Sequence, residues 1–276
     1  MDIRVWVDGE RVDGKPSISA LDHGVTVGDG VFETCKVEDT KVFALERHHA
    51  RLDRSLKGLG LPAADRSVLA DGIAAVLSEP LEFGRLRYSV TGGAGPLGSD
   101  RLDVPLTYIV TAGPQARPAG STKIAVVPWT RNERSAVVGL KTTSYAENVV
   151  ALAAAKAKGA SEAILANTRG ELCEGTGSNI FVVVDGEILT PPVESGLLPG
   201  ITRGVVLEAC AQAGIPIREV TLPLDVLNTA EEVFITSSTR DVQAVHAVGD
   251  HEVAAPGPVT AAAAKAFART AASLDM

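Results

Sequence analysis

Lys141, Glu174 and three short runs, EGTGSNIF at 174–181, LPGITR at 198–203 and TSST at 236–239, hold the residues of this chain best suited to chemistry. Glu174 offers an acid, and the glycine turn after it leads to the amide of Asn179. LPGITR is a second turn, and its hydroxyl, Thr202, opens a helix. The first N–H groups of a helix have no intrahelical partner and attract an anion such as a phosphate. The TSST hydroxyls can ligand an anion or merely cap a turn. Together these groups can hold a phosphorylated ring from several sides. Lys141 lies just ahead of a predicted helix, where a cation is disfavoured. That position favours the neutral amine a Schiff-base lysine needs. A solvated lysine and an exposed acid remain the plain alternatives from pattern alone.

A second group lies upstream. The turn Gly28–Gly30 leads into a predicted strand in which Phe32, Thr34 and Lys36 share one face, because side chains alternate along a strand. An aromatic, a hydroxyl and an ammonium make an unusual core face; a solvated edge strand is the alternative. Arg51 sits at the margin of the leucine stripe of the next helix, where an arginine pairs with a buried anion or snorkels to water.

These residues need elements to position them. RVWVDGERV reads as a hairpin with an Asp-Gly turn. Apolar periodicity and caps predict helices at about 45–60, 64–77, 145–158, 202–213 and 259–274. Strands are expected at 85–91, 104–111, 122–127, 161–166 and 231–236, with a hairpin at Asp185-Gly186. The glycine-rich GGAGPLGSD lacks the Lys-Ser/Thr of a P-loop. The run GPQARPAGS at 113–121 reads as a linker. It separates a smaller domain, 1–112, from a larger one, 122–276.

The chain has 276 residues, 45% hydrophobic and 22% charged, as expected of an ordinary globular protein. Its formal net charge of −8 argues against a basic footprint for nucleic acid or anionic membrane. There is no apolar run long enough for a membrane span and no secretory h-region, so a cytoplasmic location is expected. Cys35, Cys173 and Cys210 match neither a zinc spacing nor a disulfide framework, and packing is the expected role of each. The five histidines form no HExxH, and a metal site is not supported.

Taken in order, GDGVFET, HHARL, Lys141, EGTGSNIF, DGEILTPP, LLPGITR and FITSST resemble the class IV aminotransferases, the pyridoxal-phosphate enzymes of fold type IV. The resemblance implies a two-domain α/β fold: a small N-terminal α/β domain and a larger, β-barrel-like α/β domain that binds the cofactor. It also implies a homodimer. Pyridoxal 5'-phosphate would be carried on Lys141 as a Schiff base, and Lys141 would move the proton during catalysis. Glu174 would face the pyridine nitrogen. Arg51, Gly177, Ser178, Asn179, Leu198, Ile201, Thr202, Ser238 and Thr239 fall at cofactor-binding positions. Phe32, Thr34, Lys36 and Arg87 fall where the family builds its substrate pocket.

Three reactions share this scaffold. Branched-chain aminotransferases show an FEGxR-like run where this chain has FETCK. D-amino-acid aminotransferases carry an Arg and a His in the loop where this chain has GGAGPLGSD. FET followed by a basic residue resembles the aminodeoxychorismate lyases, in which Thr34 would assist pyruvate release. The expected activity is an aminotransferase taking its amino group from a D-amino acid or primary (R)-amine and passing it to an α-keto acid. The lyase is the first alternative and a branched-chain L-amino-acid aminotransferase the second.

Overall fold

The computed structural model describes residues 2–274. The chain forms two compact units. The first holds residues 2–117 and Leu140–Tyr145; the second holds Pro118–Gly139 and Ala146–Leu274. Among the described residues no helix is long and apolar enough to cross a membrane.

The first unit is built on six antiparallel strands: β1 (Arg4–Val7), β2 (Glu10–Arg11), β3 (Gly30–Glu38), β4 (Lys41–Val42), β5 (Phe83–Thr91) and β6 (Thr107–Pro114), in the order β2-β1-β6-β5-β3-β4. The β1–β2 turn places Asp8 and Gly9 at φ 45° and 101°, the left-handed pair a two-residue hairpin requires. Short helix α1 (His23–Thr26) precedes β3. Helices α2 (Leu45–Leu59) and α3 (Arg66–Val76) cover one face of the sheet. Val31, Cys35 and Val37 of β3 enter the core with Leu52 and Leu56 of α2 and Leu69, Ile73 and Val76 of α3. By alternation Phe32, Thr34 and Lys36 take the other face, as predicted. Helix α2 stops at Gly60, which adopts φ 70° and turns its N–H back to the Leu56 and Lys57 carbonyls.

The second unit holds β7 (Ser121–Arg131), β8 (Glu162–Asn167), β9 (Leu172–Gly175), β10 (Asn179–Val184), β11 (Glu187–Thr190), β12 (Ile217–Glu219), β13 (Glu232–Ser237), β14 (Asp241–Val248) and β15 (His251–Glu252). The sheet runs β12-β11-β10-β13-β14-β7-β8-β9, with β15 beside β14. Its helices are α4 (Ala146–Ala157), α5 (Ile201–Gln212) and α6 (Pro258–Ala271). Ile180, Val182, Val233, Ile235 and Val245 fill one core. On the alternate positions of β10 and β13, Phe181 and Phe234 stack at 4.6 Å. The small residues Ala151 and Ala155 let α4 lie close on Ala125, Ala163 and Leu165.

This is the mixed α/β fold expected. Some details differ from the prediction. β6 lies at Thr107–Pro114, not 104–111, because Gly113 and Pro114 continue the ladder opposite Arg85 and Gly84. The chain changes unit between Arg117 and Pro118, inside the predicted linker. The segment Leu140–Tyr145, expected within 122–276, belongs to the first unit. Backbone hydrogen bonds hold it there: Phe32 N–H to the Lys141 carbonyl, and Thr143 N–H to the Gly30 carbonyl.

Candidate active site

In the first unit the backbone of Lys141 is tied at both ends. Its N–H donates to Ser55 Oγ at 3.1 Å, and its carbonyl accepts from Phe32 N–H at 3.0 Å. Thr143 Oγ1 and Ser144 Oγ both donate to the Gly28 carbonyl. Gly28 has φ +70°, and a Cβ there would lie 2.4 Å from Ser144 Oγ, so glycine is needed twice over. The turn read only as the entry to a strand is therefore the seat of the lysine segment.

Lys141 Nζ stands 3.4 Å from Tyr145 Oη and 4.5 Å from the Phe32 ring centroid. The Arg87 guanidinium lies 3.6 Å from the same centroid, and Tyr145 meets Phe32 edge-on at 5.0 Å. Both distances put a cation within reach of the ring's negative face. Phe32, Arg87 and Lys141, selected from sequence, thus come together, with Tyr145 added. Its signal was an aromatic hydroxyl four residues after the lysine. Thr34 sits opposite Arg87 in the β3–β5 ladder. Lys36 is differently placed: its Nζ is 3.8 Å from Glu38 Oε2 and 5.0 Å from the Phe43 ring, in a buried position.

Arg51 is buried on α2 and forms a two-pronged pair with Glu33: Nε to Oε1 at 2.8 Å and Nη2 to Oε2 at 2.6 Å. His48 Nδ1 is 2.7 Å from the same Oε2. Against the cost of burial, Arg51 and His48 hold the Glu33 carboxyl down at about 2. Burial pushes His48 below its ordinary value. The buried anion expected as one partner for Arg51 is Glu33, which interrupts the apolar face of β3 and carries no signal of its own in the sequence.

In the second unit Glu174 accepts from Arg131 Nε at 3.0 Å and from the Leu198 N–H at 3.0 Å. Arg131 also reaches Glu147 and Asn148 through Nη1. Asn179 Nδ2 donates to the Leu198 carbonyl at 2.9 Å. A Cβ on Gly200 would fall 2.0 Å from Asn179 Oδ1, so only glycine lets the two turns touch. Glu174, Asn179 and Leu198 are thus one hydrogen-bonded set. Ser178 Oγ donates to Glu162, and Gly177 lies beside the same acid.

Helix α5 starts at Ile201 behind Gly200, with no side-chain cap. Thr202 is 1% exposed, and its Oγ1 has no hydrogen-bond partner among the described residues. Thr236 Oγ1 is in the same condition, and Thr236 is the ladder partner of Asn179. Two unsatisfied buried hydroxyls are costly in a protein interior. With an uncapped helix start they suit a phosphate group, which accepts hydrogen bonds at several oxygens. Ser238 and Thr239 follow on the β13–β14 turn, Thr239 buried. Thr236 opens the TSST cluster singled out from sequence, whereas Arg131 and Glu162, at the end of β7 and the start of β8, were missed because no motif marks them.

The three cysteines are free and buried. Burial pushes the Cys173 and Cys210 thiols up to about 12 and about 11, and Cys35 well above its ordinary value. Their expected packing role agrees with this, since a thiol so shifted is no nucleophile.

The amino-transferase class IV family pattern matches residues 30–248. A branched-chain-amino-acid aminotransferase of Pseudomonas aeruginosa is 30% identical over 281 residues, covering 95% of this chain and 91% of its own. A D-alanine aminotransferase of Bacillus licheniformis is 32% identical over 254 residues, 88% of each chain. The crystal structure of a branched-chain aminotransferase from Thermoproteus uzoniensis with norvaline matches with a TM-score of 0.88 at 30% identity, over 98% of this chain and 95% of that one. With an ordered set of site residues and a family match over most of its length, the chain belongs to the class IV aminotransferases and is a pyridoxal-phosphate-dependent transaminase.

Proposed function

We propose that the protein moves an amino group from a D-amino acid or a primary (R)-amine to an α-keto acid, using Lys141. The observation that carries this reading is the group around Phe32, where one ring holds both the Lys141 amine and the Arg87 guanidinium. Pyridoxal phosphate, when bound, supplies an electron sink for the electrons left at the substrate carbon. Lys141 would carry the cofactor and, once released, move the proton at that carbon. Tyr145 Oη is placed to hold the Nζ during this work.

Glu174 would face the ring nitrogen. Arg131 supplies the positive charge that a carboxylate withdrawn from water needs, and Leu198 N–H fixes its second oxygen. Gly177, Ser178 and Asn179 would shape the turn beside the ring. Thr202, Ile201, Ser238 and Thr239 would take the phosphate; Arg51, also expected at the phosphate, has two of its nitrogens turned to Glu33 within the first unit. Arg131→Met should lower kcat about tenfold or more with little change in KM, as expected when a charged hydrogen bond to an acting group is lost. Steady-state kinetics at saturating cofactor checks this.

The choice of reaction rests on how the cations of the first unit are used. Lys36 is balanced by Glu38, and Arg101 is paired with Asp29 at 2.6 Å. Arg87, over the Phe32 ring beside Lys141, would be the guanidinium offered to a substrate carboxylate, with Thr34 opposite it in the ladder. One such group suits the single carboxylate of a donor such as D-alanine better than the dicarboxylate ring of aminodeoxychorismate. Arg87→Ala should raise KM for the α-keto acid about tenfold or more with a smaller change in kcat.

The same reading includes a cytoplasmic homodimer. Exposed Leu21, Val25 and Leu97, the last 85% exposed, offer an apolar surface for a second copy to cover.

The test is direct. With D-alanine and 2-oxoglutarate the purified protein should release pyruvate and glutamate. Pyruvate and 4-aminobenzoate from aminodeoxychorismate, without glutamate from D-alanine, would replace this reading by the lyase. Glutamate from L-leucine alone would replace it by the branched-chain enzyme.

A further inference from the structure

Glu162 opens β8 and is 3% exposed. An acid so deep normally pairs with a cation. Here, among the described residues, no Lys, Arg or His forms an ion pair with it, and neutral donors surround it. Oε1 accepts from Thr176 N–H at 3.1 Å, from Thr176 Oγ1, and from Ala163 N–H at 3.2 Å. Oε2 accepts from Ser178 Oγ at 3.1 Å. Three of these four donors belong to the turn between Glu174 and Asn179.

The turn is folded around that carboxyl. Gly175 N–H donates to the Ser178 carbonyl at 2.8 Å, closing it. A Cβ at Gly175 would lie 2.3 Å from Ser178 Oγ and 3.1 Å from Glu162 Cγ, and one at Gly177 would lie 3.7 Å from Glu162 Oε2. Asn148 Nδ2 holds the outside of the turn through the Thr176 carbonyl at 2.6 Å. At its two ends stand Glu174 and Asn179, which grip the N–H and the carbonyl of Leu198. A shift of the turn by a fraction of an ångström would move both at once. An apolar side chain would fill the same space without the desolvation of an acid.

We propose that Glu162 is a positioning residue: it shapes the turn 175–178 so that Glu174 and Asn179 are set for pyridoxal phosphate, and it thereby controls cofactor affinity. This rests on the cofactor reading given above. Gln at 162 can keep the three bonds at Oε1, and its amide can donate to Ser178 Oγ, whose bond then reverses direction. Ala keeps none. Thr176→Val keeps the backbone N–H bond and loses the hydroxyl bond.

The experiment titrates cofactor-stripped wild type, Glu162→Ala, Glu162→Gln and Thr176→Val with pyridoxal 5'-phosphate. The thermal midpoint of each stripped protein and the kcat and KM of each loaded one are measured beside it. Glu162→Ala should weaken cofactor binding about tenfold or more, and Thr176→Val about threefold, while Glu162→Gln stays within about threefold of wild type. A folded Glu162→Ala with wild-type affinity overturns the proposal, as does Ala and Gln being impaired alike. If Glu162→Ala does not fold, wild-type affinity in Thr176→Val overturns it and weakened affinity supports it. Wild-type protein without affinity for pyridoxal phosphate would instead overturn the cofactor reading, and this proposal with it.

Discussion

Lys141→Ala should leave a folded protein whose transamination is lower by about three orders of magnitude or more. A positioned acid–base group alone contributes about a hundredfold to ten-thousandfold, and here the same amine would also carry the cofactor. The fold should survive because the segment is held by its backbone, through Ser55 Oγ, the Phe32 N–H and the Gly30 carbonyl, none of which needs the lysine side chain. Circular dichroism and a thermal midpoint near that of wild type would establish folding. Turnover assays with D-alanine and 2-oxoglutarate would then read the loss. Near-normal turnover in the folded variant would remove Lys141 from the mechanism.

The largest effect on stability is expected at Glu33. Glu33→Ala leaves Arg51 buried with two of its nitrogens deprived of their acceptor and strips His48 Nδ1 of its partner. Breaking a buried pair by removing one member costs about 3–5 kcal/mol. Denaturant unfolding should show this as a lower midpoint at unchanged slope.

The pair also predicts an acid limb. The Glu33 carboxyl is held at about 2 in the folded protein against an ordinary value of 4.5, so on acidification the unfolded chain takes up the proton first. The stabilisation is complete above pH about 4.5 and drains away as pH falls through about 2. His48 acts in the same direction at higher pH: burial depresses it below 6.5, so stability begins to fall once the unfolded imidazole protonates. Glu33→Gln should flatten the limb below pH 4.5 and steepen the His48 part above it, because the Glu33 carboxylate is the group that raises His48 against its burial. An unchanged acid limb in that variant would show that Glu33 titrates without linkage to folding.

The leucine period at 45–60 closed by Gly60, the Asp-Gly hairpins and the strand alternation of Phe32, Thr34 and Lys36 were all legible, since each is a local pattern with a local cause. The strand at Asp241–Val248 was not, because DVQAVHAV mixes polar and alanine residues and carries no clean period; its pairing with β13 and β7 decides it. Segment Leu140–Tyr145 was assigned to the larger domain on chain order, and long-range backbone hydrogen bonds place it in the first unit.

The site divides in the same way. The ordered motifs of the sequence resembled the class IV aminotransferases, which the family match bears out, and they offered Lys141, Glu174, Asn179 and Thr202 as candidates for the cofactor. The partners of the charged groups were decided only in the tertiary structure. Arg51 meets Glu33, Lys36 meets Glu38, Arg131 meets Glu174, and Glu162 meets the turn at 175–178. A charge in sequence shows that chemistry is available. Only the folded chain shows whether another group of the protein already neutralises it, because that depends on distance and on removal from water, and neither is a property of the residue itself.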